Sequence, residues 1–252
     1  MREPQSILIT GASSGIGEAL AVAYARPGVR LVLSGRDEAR LAAVDKSCRE
    51  RGATVRADVL DVTDRPAMAQ WIDAVDAEGP LDLVIANAGI SAGTFDGGES
   101  PDQARAIFAV NLDGVLNTVQ PAIPHLKRRR RGQIALMSSL ASFRGFPGAP
   151  AYCASKAAVR VWGEALRGEL SPHGIGVSVI CPGFVVSRMT AGNRFPMPFL
   201  MEADRAAEII RKGLARNRAR IAFPWPMYAG SWLLALLPPA LTDPFMPWLP
   251  KK

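Results

Sequence analysis

Tyr152 and Lys156 stand four residues apart in the run Ala151-Tyr-Cys-Ala-Ser-Lys156-Ala-Ala-Val159. On a helix that spacing puts both side chains on one face. A free phenol titrates near about 10 and a lysine ammonium near about 10.4. A cation held against the hydroxyl favours phenolate and brings the tyrosine toward working pH, which would make the pair a proton donor. An exposed tyrosine above a lysine is the plain alternative, and context has to decide between them.

That context begins at Thr10-Gly-Ala-Ser-Ser-Gly-Ile-Gly17, directly after the apolar run Ile7-Leu8-Ile9 and directly before the helix-like stretch Glu18 to Tyr24. Gly11 permits a tight turn, Gly15 lets backbone amides approach a pyrophosphate, and Gly17 lets helix and strand pack. The helix N-terminus then faces the anion. The spacing is GxxxGxG, not the commoner GxGxxG, so in isolation the turn can equally be a structural loop.

Six pieces in chain order give the chain its likeness. They are the turn Thr10 to Gly17; Asn87-Ala-Gly89 after the strand Leu83 to Ala86; Asn111 in a long helix; Ser139, thirteen residues before Tyr152; Tyr152-x-x-x-Lys156; and Pro182-Gly183 after the strand Val177 to Ile180. In these the chain resembles the short-chain dehydrogenase/reductase family in its compact single-domain form. The match runs over roughly residues 5 to 223 and leaves about the last thirty outside.

The resemblance agrees with the alternation of apolar and amphipathic segments. Strands are expected near 5–10, 30–35, 53–58, 82–86, 133–138, 175–181 and 218–223. Helices are expected near 15–26, 37–50, 64–77, 101–130, 151–170 and 202–216. This pattern predicts an α/β fold, a doubly wound Rossmann-type parallel sheet of seven strands with helices on both faces. The family suggests the order 3-2-1-4-5-6-7. Residues 1–224 are expected to form the catalytic, cofactor-binding domain, with 225–252 an apolar Pro/Trp-rich tail of the same domain.

Composition fits one globular unit, with 48% hydrophobic residues in 252. Cys48, Cys153 and Cys181 are odd in number and lack metal-type spacing, which points to core fillers in a reducing compartment and to no metal site. There is no signal-peptide pattern and no apolar run of about 20 residues, so a cytoplasmic protein is expected. The net charge of +7 is concentrated in Lys127-Arg-Arg-Arg-Arg131. At the end of a helical pattern these cations complement the dipole, with Gly132 as the cap. No aromatics interleave with the run, and no nucleic-acid partner is expected.

Cofactor choice is legible at the end of the second strand, Leu31-Val-Leu-Ser-Gly35-Arg36. An NAD site needs a carboxylate there for the ribose 2′-hydroxyl. Gly35 stands in its place, and Arg36 offers a planar fork to a 2′-phosphate. Ser13 and Ser14 can add hydroxyl donors, with Ile16 in the same turn. NADP(H) is therefore expected. Asp37 follows Arg36 and reads as an N-cap.

The remaining roles come from the resemblance. It implies that Asp61 and Val62 hold the adenine, with Asp58 the runner-up, and that Asn87, Ala88 and Gly89 close over the ribose side. It implies Ser139 as the hydroxyl that donates to the reacting oxygen, with Ser138 and Ser142 its competitors, and Tyr152 as the proton donor or acceptor. Lys156 would hold the nicotinamide ribose. Asn111, at a helix irregularity, would anchor a water that feeds protons through Lys156. After Pro182-Gly183 the amide of Val185, helped by Ser187, would hold the carboxamide; Ser187 stands where relatives more often carry threonine. His125 and His173 receive no role.

The implied activity is interconversion of an alcohol with a ketone or aldehyde by hydride transfer, in a homodimer or homotetramer. The apolar segment Arg188 to Met201 occupies the family's substrate-loop position, which suits a lipophilic small molecule or plain lid packing. In the tail, Trp225, Trp232, Leu233 to Leu237 and Trp248 are broken by prolines and ended by Lys251-Lys252. It reads either as a peripheral membrane contact or as packing within the protein or a dimer. A catalytically idle NADP-binding protein acting through this tail is the alternative function.

Overall fold

Strands covered on both faces read as near-continuous apolar runs, and here that pattern marks the sheet. The computed structural model describes residues 3–91, 98–193 and 195–244. Its strands are β1 (Ser6–Thr10), β2 (Arg30–Gly35), β3 (Thr54–Val59), β4 (Leu83–Ala86), β5 (Gly132–Met137), β6 (Ile175–Pro182) and β7 (Arg220–Phe223). Every residue of β1, β4, β5 and β6 is buried. All seven are parallel in the order β3-β2-β1-β4-β5-β6-β7.

The helices are α1 (Gly15–Tyr24), α2 (Glu38–Glu50), α3 (Arg65–Glu78), α4 (Pro101–Phe108), α5 (Gly114–Val119), α6 (Ala122–Arg129), α7 (Pro150–Leu170), α8 (Arg188–Ala191), α9 (Ala203–Ala215), α10 (Trp225–Leu236) and α11 (Pro239–Thr242). Alternate strand residues face opposite layers. Ile7 and Ile9 pack with α1, α2 and α9, through Leu20, Leu41 and Ile210 among others. Leu8 and Val32 pack on the other face with Met68, Trp71 and Ile72 of α3. Ile134 and Leu136 continue that layer onto Val159 and Leu166 of α7. The order of strands reverses between β1 and β4, and ligand crevices in such sheets open outside the carboxyl ends at that point.

The helix expected over 101–130 is not continuous. A π-helical turn, Ala109–Asp113, separates α4 from α5, with Gly114 N–H donating to Ala109 O five residues back. Pro121 then separates α5 from α6, because proline supplies no N–H to continue the ladder. Gly132 is not the cap of α6. Arg130 takes the left-handed conformation there (φ 51°), while Gly132 starts β5 with Leu126 Cδ2 only 2.5 Å from where a Cβ would stand.

The cationic run is used inside the molecule. Arg129 forks onto the buried Asp76 at 2.6 and 2.8 Å and reaches Leu81 O at 3.2 Å. Arg131 pairs with Asp82 at 3.1 Å, Lys127 with Glu169 at 3.4 Å, and Arg130 donates to Pro172 O at 2.9 Å. His125 has partners too, with Nε2 2.6 Å from Asp73 and Nδ1 3.2 Å from Asp76. All three cysteines are buried free thiols. Among the described residues, no helix is long and apolar enough to cross a membrane.

Candidate active site

The glycine turn between β1 and α1 is a cradle that side chains would fill. Gly11 (φ 66°) and Gly15 (φ 59°) adopt the left-handed region that disfavours a Cβ. A Cβ on Gly11 would lie 2.7 Å from Ala88 Cα, and one on Gly17 would lie 2.2 Å from Gly11 O. Asn87 stitches the end of β4 to this turn, its Nδ2 donating to Thr10 O at 3.0 Å and Gly11 O at 3.1 Å. The first N–H groups of α1 have no partner inside the helix, and the N-cap residue Ser14 places no side chain on them. Such a terminus offers its donors to an anion.

The turn opens into a cavity of about 1110 Å3 that runs along the carboxyl ends of the strands. Every residue predicted for the site lines it except Gly17 and Asn111. Gly17 is packed behind the cradle, and Asn111 is fully buried, its Oδ1 3.2 Å from the position a Cβ on Gly89 would take. A smaller cavity of about 470 Å3, walled by Arg65, Asp73, Asn117 and His125 among others, shares no lining residue with the cleft.

Arg36 and Arg40 both border the cleft beyond the cradle. Arg36 lies 3.8 Å from Asp61, with both side chains exposed, an arrangement worth little in water and easily exchanged for another anion. Asp37 caps α2 by accepting from Arg40 N at 3.0 Å. Arg40 is a residue the sequence reading missed. It lies one turn into α2 and pairs with Asp37 at 2.6 Å, while its Nε is buried without a partner. Asp58, the runner-up to Asp61, is occupied elsewhere, accepting from Arg56 at 2.9 Å and Trp71 Nε1 at 2.8 Å. Asp61 and Val62 border the cavity.

At the far end of the cleft α7 brings Tyr152 and Lys156 together, but not in the expected contact. Lys156 Nζ donates to Met137 O at 2.9 Å and lies 5.9 Å from the centre of the Tyr152 ring. The ammonium therefore does not set the phenol. Burial raises the Tyr152 pKa, and the opposing pull comes from a hydrogen bond with Ser139. Burial also lowers Lys156, to about 8. The phenol therefore keeps its proton near neutral pH.

Ser139 is the serine that meets Tyr152. Its Oγ also accepts from Ala141 N at 3.1 Å. Ser138 is turned away, donating to Lys156 O at 2.7 Å, and Ser142 is outside the cavity lining. Asn111, in the π-helical turn, clasps Ile90, accepting from its N–H at 2.8 Å and donating to its carbonyl at 2.9 Å, with a further bond to Ser155 at 3.2 Å. Glu99 is a second residue not expected at the site; its carboxylate accepts from Ala151 N at 2.6 Å and Tyr152 N at 3.1 Å. A carboxylate on the first amides of α7 complements the dipole and fixes the turn that carries the tyrosine.

The opposite wall follows β6. Gly183 N–H donates to Phe223 O at 2.7 Å, Val185 bridges to Met201, and Thr190 Oγ1 ties the turn by donating to Val185 O at 2.8 Å. Ser187 N–H donates to the same Thr190 hydroxyl at 2.9 Å, and Ser187 Cβ stands 3.1 Å from where a Cβ on Gly15 would be. Leu140, Phe146, Phe184, Phe195 and Met227 give the cleft apolar surface. A glycine cradle, two guanidinium groups and a buried tyrosine thus lie along one crevice.

Comparison with known proteins agrees with this geometry. The family model described as short chain dehydrogenase matches residues 5–196. An uncharacterized oxidoreductase of Myxococcus xanthus is 43% identical over 241 residues, covering 95% of each chain. A short-chain dehydrogenase from Sphingobium yanoikuyae solved with NADPH superposes with a TM-score of 0.80 at 27% identity, covering 97% of this chain and 96% of its own. A short chain dehydrogenase/reductase from Burkholderia phymatum solved with NAD gives 0.83 at 27% identity, covering 92% and 93%.

Proposed function

Since the chain belongs to the short-chain dehydrogenase family, whose oxidoreductases use a nicotinamide cofactor on small molecules, we propose that it is an NADP(H)-dependent enzyme interconverting a lipophilic ketone or aldehyde with its alcohol. The observation that carries this reading is the hydrogen bond between Ser139 and Tyr152, at the end of a cleft that begins in a glycine cradle.

A bound nicotinamide supplies or takes up the hydride. Tyr152 gives its proton to the substrate oxygen in reduction and receives it back in oxidation, so that carbonyl, hydride and proton balance the alcohol. Ser139 donates to that oxygen as charge develops on it, and its bond to Ala141 N–H fixes it in place beforehand. Lys156 holds the ribose hydroxyls. A lysine whose ammonium burial brings down to about 8 can give up and regain a proton near working pH, relaying it from a water that Asn111 would anchor beside it.

NADP(H) is favoured because β2 ends in Gly35, with no carboxylate to repel a 2′-phosphate, and because Arg36 and Arg40 border the same end of the cleft. Asp61 and Val62 take the adenine. Asn87, Ala88 and Gly89 pass beside the ribose, and Val185 and Ser187 hold the carboxamide. Residues 1–224 form the catalytic unit, and the packing of Met227 and Tyr228 on Leu140, Val179 and Cys181 ties the tail to it. Exposed Phe108 on α4 and Val161 on α7 are apolar surface on which copies can pair into a dimer or tetramer. Three free thiols suit the reducing cytoplasm. The test is a screen of aldehydes, ketones and secondary alcohols with NADPH and NADP, following nicotinamide absorbance. Turnover with neither coenzyme in either direction would overturn the assignment.

A further inference from the structure

Two arginines flank the glycine cradle from opposite edges. Gly35, directly ahead of Arg36, would place a Cβ 3.0 Å from Ser13 Cβ, whereas Ser187, directly ahead of Arg188, holds its Cβ 3.1 Å from where a Cβ on Gly15 would be. Both arginines line the cleft. Gly15 is the first residue of α1, so Arg188 starts beside the helix terminus on which a pyrophosphate settles in sheets of this kind.

The charges along the cleft leave Arg188 for this task. Arg40 pairs with Asp37 at 2.6 Å, Arg36 lies 3.8 Å from Asp61, and Lys156 Nζ donates to Met137 O at 2.9 Å. Arg188 is exposed and has no acidic partner among the described residues. The cradle itself offers an anion only neutral donors, its backbone N–H groups and the hydroxyls of Ser13 and Ser14. The turn that bears Arg188 is set beforehand. Thr190 Oγ1 donates to Val185 O at 2.8 Å and accepts from Ser187 N–H at 2.9 Å, and Ala191 N–H donates to Ser187 O at 2.9 Å. A planar guanidinium on a fixed turn can fork onto phosphate oxygens without reordering the backbone beneath it.

We propose that Arg188 binds the diphosphate bridge of the nicotinamide coenzyme from the wall opposite the cradle; this rests on the family's use of such a coenzyme and not on the choice between its two forms. The bridge is common to NADPH and NADH, whereas the 2′-phosphate assigned to Arg36 is not. The test is fluorescence titration of wild type, Arg188→Gln and Arg188→Lys with each reduced coenzyme, at low and at high salt. Arg188→Gln is expected to weaken both coenzymes by the same factor, about tenfold, as loss of a charge-assisted hydrogen bond does. Its affinities should also depend less on salt, because one exposed charge pair is gone. Arg188→Lys keeps the charge without the fork and should recover part of the loss. Equal dissociation constants in wild type and Arg188→Gln overturn the proposal and leave the coenzyme reading standing; a KM that then rises for acidic carbonyl compounds alone would give the cation to the substrate. A loss confined to NADPH overturns it as well, by moving the guanidinium to the 2′-phosphate. Wild type that binds neither coenzyme removes the proposal and the coenzyme reading together.

Discussion

Glu99 holds the first turn of the helix that carries Tyr152, its two carboxylate oxygens accepting from the Ala151 and Tyr152 amides at 2.6 and 3.1 Å. Glu99→Ala should therefore cost about 0.5 to 2 kcal/mol of stability, as loss of a helix cap does. It should also lower kcat more than it weakens coenzyme binding, because the turn it fixes bears the proposed proton donor. Chemical denaturation and steady-state kinetics measure the two effects. Unchanged kcat in a destabilised protein would confine Glu99 to a structural role.

Tyr152→Phe is expected to fold and to bind NADPH nearly as wild type does, and to lose about 10²- to 10⁴-fold in rate, the usual contribution of a positioned acid. Lys156→Ala should lose rate and coenzyme affinity together. Reduction of a proven substrate by Tyr152→Phe at the wild-type rate would remove the tyrosine from the chemistry.

NADPH should bind more tightly than NADH, and Arg36→Ala should narrow the difference by about 1.5 to 3 kcal/mol, the range for a charge-assisted hydrogen bond. Arg40→Ala should narrow it further. Fluorescence titration of both coenzymes against all three proteins decides the matter, and equal wild-type dissociation constants would defeat the assignment.

Burial raises the Tyr152 phenol, so the protonated form required for reduction persists through neutral pH. The deprotonated form required for oxidation grows only as the solution becomes alkaline. The reduction rate should accordingly be flat near neutrality and fall at high pH, while oxidation climbs over the same range. Rate profiles in both directions on one alcohol and carbonyl pair check this, and an oxidation rate that plateaus below neutrality would contradict it.

Asp76 carries a stability prediction of definite sign. Burial alone would raise its carboxyl, but the Arg129 fork, the Leu81 amide and nearby His125 outweigh that and hold it below the ordinary range. Its contribution is complete above the unfolded value of about 3.9 and is lost as pH falls through the lower folded value. Urea midpoints should drop in acid for wild type and less steeply for Asp76→Asn. Parallel acid slopes for the two proteins would rule Asp76 out as the source.

What the sequence disclosed follows from how directly each feature constrains residue type. Strands such as β1 and β6, covered on both faces, are apolar at most positions, and so their places in the chain were plain. Gly11, Gly15 and Gly17 were legible because backbone occupies the space a Cβ would need. Spacing was a poorer guide to contact. It put Tyr152 and Lys156 on one helix face, but it could not reveal that Nζ would turn to Met137 O. Pro121 could have marked one break in the 101–130 segment and went unread, whereas the irregularity at Asn111 was implied by the family resemblance and by no residue signature of its own. Arg40 resembled any cation on a helix surface, and Glu99 joins Tyr152 only through the fold.

The contact between Gly35 and Ser13 bears on any attempt to retool coenzyme preference. A Cβ on Gly35 would sit 3.0 Å from both Ser13 Cβ and Oγ, so a carboxylate installed there presses on the cradle before it can reach a ribose. The proposed adenosine end of the site and the glycine cradle meet at this contact. On the NADP(H) reading, a change of coenzyme preference made at Gly35 would have to be accompanied by one at Ser13.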